Sequence, residues 1–540
     1  MFDLVLSSGT VIDGSGAPGV RADVAVQGGR IVAMGDLKTQ SARRRIDVSG
    51  LVVAPGFIDS HCHSELSLIA RPTAESKARQ GVTSEVLGNC GWSAYPLAAA
   101  SRDTITQLSR PIFGSPEVSW AWSDLDGYYE TLERGGIGVN VATLVGHGNV
   151  RAAVLGFDDR KPNAEELEQM RALVQNAMDQ GALGISTGLS YPPGIYATTD
   201  ELVALARVAG RNGGLYASHL RDQVDGLVDS VQEALDIGRM ADLPVLISHH
   251  KTCGRRNHGK VKFTLPLLEQ ARQDGMRTYS DMYPYLAGSS TMTMLLPPWV
   301  FEGGLEGMLA RLREPSARAR IAHDWETGLP GWENRVAAVG WENVTVSHVA
   351  TPKNRDVEGL SVVAGAAKRG KSVLNFFCDL LVEERGEVGQ ILVNSCEEDM
   401  LMVLTHPHSM VGSDGIDVGD HPHPRQYGTF PKVLGELVRE KQAMTLEAAV
   451  HKMSGYTAQT FGLPEIGLVR QGYWADLTVF DPLTVKDLAT YRDPRQYPRG
   501  IEWVMVGGVP SVAHGSATGD LNGRVLRRAR VAPGTSRARG

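Results

Sequence analysis

Cysteine is scarce in this chain. Cys62, Cys90, Cys253, Cys378 and Cys396 are the five among 540 residues, too few and too scattered for a disulfide framework. An odd number without an export signal suits reduced thiols and a cytoplasmic protein. Long apolar runs are missing as well. No stretch approaches the roughly 20 apolar residues of a membrane span, and the opening MFDLVLSSGT has neither the basic start nor the apolar centre of a secretory leader. Nor is there a basic excess: 54 Lys and Arg stand against 61 Asp and Glu, a net charge of −7, so no general affinity for nucleic acid or an anionic membrane is implied. The Arg-, Gly- and Ser-rich segment 524–540 is the exception and is expected to be a disordered basic tail. What remains is an ordinary globular composition, 42% apolar and 21% charged.

The chain is organised around Gly56-Phe57-Ile58-Asp59-Ser60-His61-Cys62-His63-Ser64, a short apolar strand ending in two histidines one residue apart. Side chains alternate along a strand, so His61 and His63 face one way and Cys62 the other. Neutral imidazole is the commonest protein metal ligand. Alone, the pair is a weak signal, and two surface histidines are the plainer reading. It gains weight from the segments on either side.

Residues 1–55 read as short strands, with Gly28-Gly29 turning one alternating run into the next. Residues 465–523 behave alike, around Ala475–Phe480 and Trp503–Val506. Two β-rich ends flanking a long middle point to one small β-sandwich domain built from both termini. The middle, 56–464, alternates strand-like and helix-like segments, the pattern of a parallel α/β fold. Eight strands are expected at 57–63, 82–89, 139–145, 182–187, 214–219, 244–249, 276–283 and 409–413, with helices between most of them, such as 163–180, 199–212 and 225–240. That count predicts a (β/α)8 TIM-type barrel, whose chemistry gathers at the C-terminal strand ends. The stretch 290–347 is too long for an ordinary connection and is read as an insertion, a lid over the barrel mouth.

The reactive residues fall where such a barrel needs them. His61 and His63 end the first strand, Cys90 the second, His219 the fifth, His249 the sixth, and Asp414 the eighth. Taken singly, Cys90 reads as a small buried hydrophobe, the histidines as hydrogen-bonded core residues, and Asp414 as a turn residue before glycine. Taken together they predict a metal site beside an acid. His406-Pro407-His408 and His421-Pro422-His423 repeat the spacing, but proline is excluded from central strands, so both pairs belong on loops outside the metal set. His147 could hydrogen-bond near the site, and His250 faces away from His249.

The motifs GFIDSHCHS, GVTSEVLGNCG, LVGHG, STGLSYPPG, YASHLRD, ISHHK, DMYPYLAGS and GSDG, followed by HPHPRQYGTFPKVLGEL, stand in this order from about Asp3 to about Gly508. They resemble the N-acyl-D-amino-acid deacylases of the amidohydrolase superfamily. The resemblance implies a tightly held zinc ion on Cys90, His219 and His249, and a second, weaker metal position formed by His61 and His63 with the cysteine. It also implies Asp414 as general acid/base, and Lys251, Tyr283 and Ser289 as holders of the substrate carboxylate. The partner implied is a small N-acyl amino acid, with preference for the D form coming from the resemblance alone. Thiolate and imidazole select zinc over magnesium or calcium, and three protein ligands leave a position for water.

Arg221 and Arg425 are further carboxylate binders to consider, and Met294, Leu295, Leu296 and Trp299 are expected to form an apolar wall suited to neutral side chains. Two other functions compete. A cyclic-amide hydrolase of the hydantoinase or dihydroorotase kind typically carries a lysine on its fourth strand, which 181–189 lacks. An inactive scaffold is expected to have lost ligands or the acid, yet all six positions are filled.

Overall fold

The computed structural model describes residues 1–114 and 117–528. Eight parallel strands form its centre: β1 (Phe57–Asp59), β2 (Val82–Leu87), β3 (Asn140–Thr143, resumed at Val145–Gly146), β4 (Gly184–Gly188), β5 (Leu215–His219), β6 (Val245–Ile247), β7 (Thr278–Met282) and β8 (Ser409–Val411). β1, β2 and the first part of β3 pair in one ladder, and its second part leads through β4, β5, β6 and β7 to β8 in another. The ladders meet at Leu144, whose N–H donates to Leu87 O at 2.9 Å, while the Leu183 N–H donates to Thr143 O at 2.9 Å. The ring closes between β8 and β1: Cys62 bridges Gly415 in parallel, and the Asp414 N–H donates to His61 O at 2.7 Å. This is the expected (β/α)8 barrel.

Its strands are buried on both faces, as parallel strands covered by helices must be; every residue of β2 and β4 is buried, polar ones such as Ser84 and Thr187 included. Around them run helices α1 (Ala164–Asp179), α2 (Thr199–Arg211), α3 (Leu227–Ala241) and α4 (Val261–Gln273), each with one apolar stripe turned inward. The strands end earlier than expected. His61, His63, Cys90, His249 and Asp414 all lie beyond the last ladder residue, on the loops at the C-terminal face.

Strands from both chain ends join one nine-stranded sheet, in which Val53 pairs with Val479 antiparallel. It curls around its own core of Leu4, Leu6, Val24, Leu477, Val479 and Trp503. Between β7 and β8 the chain leaves the barrel for a three-stranded sheet: Ala287–Thr291 pairs with Val388–Val393, which pairs with Val344–Val349. The excursion therefore runs from 287 to 393, past the expected limit of 347, because the strand that completes its sheet comes last.

The tail also differs from expectation. Arg524 lies 3.9 Å over the Trp474 ring and pairs with Asp476 at 3.0 Å, so the segment to Arg528 is docked; the rest of the expected tail lies outside the described residues. Among the described residues, no helix is long and apolar enough to cross a membrane.

Candidate functional site

Three residues at the barrel mouth share an unusual backbone. Cys90 (φ 56°), His249 (φ 35°) and Asp414 (φ 48°) are all left-handed, a region costly for residues other than glycine and tolerated where the surroundings over-determine it. The surroundings do so here. Tyr191 donates its hydroxyl to Cys90 O at 2.5 Å, and the His249 N–H donates to Asp281 Oδ1 at 2.6 Å. The Asp414 N–H is held by His61 O at 2.7 Å. Gly412 permits that last approach, since a Cβ there would lie 2.6 Å from His61 Cβ.

Two ligand groups result, sharing one sulfur. Cys90 joins His219 and His249 in the first, and His61, His63 and Asp414 in the second; within each group the ligand atoms lie within 4.8 Å of one another, and every member is buried. Cys90 Sγ is 3.2 Å from His61 Nε2 and 3.4 Å from His249 Nε2, and His249 Nε2 is 2.9 Å from His219 Nδ1. Asp414 Oδ1 lies 3.3 Å from His63 Nε2, and its Oδ2 lies 2.8 Å from the Arg425 guanidinium.

Electrostatics favour the ligating forms of Cys90, His219 and His249, the two imidazoles being held down by burial. Against burial, the Cys90 sulfur and Asp281 draw His61 up, and Asp414 and Cys90 draw His63 up to about 9. Burial alone would push the Cys90 thiol up, but the imidazoles of His61 and His249 outweigh it and hold it well below its ordinary value, towards the thiolate that binds metals. Burial likewise opposes ionisation of Asp414, yet Arg425, then His63 and His61, hold the carboxyl well below the usual range. Asp281 lies 3.3 Å from His61 Nδ1, which places the proton there and leaves Nε2 facing Cys90. Gln223 Nε2 is 3.1 Å from His249 Nδ1, while Gln223 Oε1 has no partner. Turning that amide makes Nδ1–H the donor and frees Nε2. One thiolate and two imidazoles form a donor set that fits zinc.

A cavity opens over these groups, lined by Lys251, Tyr283, Ser289, Arg335, Gln390 and Asn394 as well as the ligands. Lys251 is buried, which draws its ammonium down to about 8. The Tyr283 hydroxyl, Gln390 Oε1 and Asn394 Oδ1 are buried without partners. The Arg425 guanidinium sits 4.6 Å over the Tyr283 ring and donates to Ser289 O at 3.0 Å. An apolar recess adjoins the cavity, sharing Trp92, Ile112 and Tyr191 with it and walled further by Leu108, Met294 and Phe301.

Other candidates lie elsewhere. Arg221 is tied to Glu233 at 2.9 Å, so it is no carboxylate binder in this cavity. His147 pairs with Glu201 at 2.9 Å, and His250 with Thr264 at 2.7 Å. His408 contacts the Tyr456 hydroxyl at 2.9 Å, and His423 donates to Ala287 O at 2.9 Å. Of the expected apolar wall only Met294 lines the recess; Leu295 and Leu296 are packed in the insertion's core, and Trp299 donates to Asp324 at 2.7 Å.

Sequence reasoning missed Asp281, Gln223 and Arg335. Asp281, an acid inside an expected barrel strand, carried a signal. Arg335 carried none. It arrives from the insertion, paired with Glu333, and lies 3.0 Å from His219 Nε2.

Residues 44–512 match the model of the amidohydrolase family. A D-aminoacylase of Alcaligenes xylosoxydans xylosoxydans is 40% identical across 98% of both chains. An N-acyl-D-aspartate deacylase of the same organism is 38% identical over 97% of this chain and 95% of its own. Among solved structures, an N-acyl-D-glutamate deacylase of Bordetella bronchiseptica, complexed with zinc and a phosphonate mimic of the tetrahedral intermediate, superposes with a TM-score of 0.82 at 34% identity, covering 97% of this chain and 99% of that one.

Proposed function

The chain belongs to the amidohydrolase family, and from that premise we propose that it is a zinc-dependent hydrolase removing the acyl group from N-acyl-D-amino acids. What carries this function is the convergence of Cys90, His219 and His249 on one point, with Asp414 in the adjoining group. Cys90, His219 and His249 would hold the ion, and His61 and His63 would offer a weaker second position beside Cys90. When bound, zinc supplies a Lewis acid for the amide carbonyl and brings water to a pKa of about 7.

The chain's own residues do the rest. Asp414, ionised beside Arg425, takes the proton of the attacking water and delivers it to the leaving nitrogen, because an amine departs poorly as an anion. Lys251, Tyr283 and Ser289 hold the substrate carboxylate: the ammonium regains its full charge when an anion docks, and the unpartnered Tyr283 hydroxyl donates to it. The apolar recess takes an uncharged part of the substrate.

Charge pairing selects among N-acyl amino acids. Arg335 is matched by Glu333 and Arg425 by Asp414, whereas Lys251, among the described residues, has no carboxylate in ion-pair contact and feels Asp414 only at longer range. One free cation calls for one anion, hence a neutral side chain.

The test is release of free amino acid from N-acetyl-D- and N-acetyl-L-leucine, N-acetyl-D-aspartate, hydantoin and dihydroorotate by the zinc-loaded protein. Turnover of the D-leucine compound is expected, with kcat/KM at least about tenfold above the D-aspartate one because a second carboxylate would go unpaired. No release from either leucine enantiomer overturns the deacylase function. A cyclic-amide activity is disfavoured by β4, which reads Gly-Ile-Ser-Thr-Gly and has no lysine.

A further inference from the structure

Behind the ligands, where β8 meets β1, lies a charged cluster that takes no part in the chemistry above. Lys77 is 1% exposed, and its ammonium donates to Asp59 Oδ2 at 2.6 Å and to Ser413 Oγ at 2.6 Å. The Ser413 hydroxyl donates to Asp59 Oδ2 at 2.5 Å, and its N–H to Asp59 Oδ1 at 2.8 Å. Asp59 Oδ1 also accepts the His61 N–H at 3.3 Å. Ser413 Oγ accepts the Gly415 N–H at 3.0 Å. Two glycines make room for this: a Cβ on Gly415 would lie 2.8 Å from Lys77 Nζ, and one on Gly412 would strike His61. The Lys77 ammonium and both Ser413 donors thus join the segment carrying His61 to the segment carrying Asp414, while the other two bonds brace each segment internally.

Burying such an ion pair is a poor way to gain stability, because taking both charges out of water offsets most of their attraction. Its position explains it better. The seam must hold Asp414 in a left-handed conformation and set its carboxylate 3.3 Å from His63 and 3.6 Å from His61. We propose that Lys77, Asp59 and Ser413 are positioning residues, a clasp that fixes Asp414 against the His61–His63 pair. Through it the cluster governs both proton transfer by Asp414 and affinity at the second metal position, while leaving untouched Cys90 beyond β2, His219 at the end of β5 and His249 beyond β6.

The test compares the full-length chain with the Lys77→Met/Asp59→Asn double variant, which removes both charges of the pair at once, and with the milder Ser413→Ala. Binding of the first and second Zn2+ equivalents is measured by calorimetry, and kcat and KM on an N-acetyl-D-amino acid. Loss of such supporting contacts typically costs about 10–100-fold in metal affinity or activity. The double variant is therefore expected to bind the second equivalent at least about tenfold more weakly, with kcat lowered to a similar degree and KM and the first equivalent little changed. Ser413→Ala should move the same quantities by less, and it serves alone if the double variant does not fold. A second equivalent bound as tightly as in the wild type, or a first equivalent weakened as much as the second, overturns the clasp. The kinetic arm rests on the deacylase function; the metal titration does not, so an inactive wild type would defeat that function and still leave the clasp decided.

Discussion

At the scale of single residues, backbone and chemistry can be separated at position 414. Aspartate and asparagine tolerate the left-handed region; alanine does not. Asp414→Asn is expected to keep its metal, checked by elemental analysis, and to lose about 10²–10⁴ in kcat, the usual worth of a general acid/base. Asp414→Ala loses the same carboxylate and should in addition unfold at lower denaturant than the asparagine variant, by about 1–2 kcal/mol. A second residue makes stability depend on pH. His423 donates Nε2–H to Ala287 O at 2.9 Å and accepts the Arg425 N–H on Nδ1 at 3.0 Å, so both nitrogens are used in the neutral ring. Burial, reinforced by Arg425, holds its pKa well below the ordinary 6.5. Between that depressed value and 6.5 the unfolded chain binds the extra proton, so this contribution is intact above pH 6.5 and is lost as pH falls below it. Urea unfolding across this range should show a shallower slope with pH for His423→Asn; an unchanged slope would remove His423 from the account. The residues that converge at the barrel mouth were legible because each follows a strand-like run and histidine and cysteine are scarce in the chain. Their supports were not, for Gln223 and Arg335 have ordinary identities and matter only through what folds next to them.

At the scale of elements, periodicity located the barrel well and its margins poorly. Helix α1 was expected at 163–180 and runs from Ala164 to Asp179, because Asn163 and Glu166 form a reciprocal cap. The Arg160 guanidinium and then the Asn163 N–H hold the Glu166 carboxyl down at about 2. The cap is therefore complete above the ordinary glutamate range near 4.5 and is lost as pH falls through about 2. Amide exchange in the first turn of α1 should quicken over that interval in the native chain, while Asn163→Ala, at a cost of about 1 kcal/mol, should exchange fast throughout; equal rates in both would discount the cap. The insertion was harder to read. Its central strand, Val388–Val393, sits beside partners about 45 and 100 residues earlier in the chain, and no local pattern marks pairing at such separation. Arg335 reaches His219 from the Trp332–Val336 segment, which lies between the first two strands of that sheet in the chain.

At the scale of the molecule, one residue ties three regions together. Asp476 lies in the segment leading into the terminal sheet; it accepts from Asn140 of β3 at 2.8 Å, from the Gly507 N–H at 2.7 Å and from Arg524 at 3.0 Å. The segment that follows extends the barrel wall. Val525 bridges Val141 in parallel, the Val141 N–H donates to Arg524 O at 2.9 Å, and the Leu526 N–H donates to Val141 O at 2.7 Å. Arg528 continues with its N–H on Gly181 O at 3.0 Å. Composition predicted disorder here because arginine and glycine seldom bury enough apolar surface to order a chain. What orders them is backbone pairing with a strand edge and a guanidinium stacked on Trp474, neither of which composition records. These contacts sit at the N-terminal end of β3, across the barrel from the ligands, where residues serve stability and not chemistry. A chain ending at Asn522 should therefore melt about 5 °C or more below the full chain, since each kcal/mol is worth about 2–4 °C in a large domain, while its kcat well below that melting point stays the same. Equal melting temperatures would show that the docked segment contributes nothing. A fall in kcat with the metal retained would show that the two ends of the barrel are coupled, against the separation of stability from chemistry drawn here.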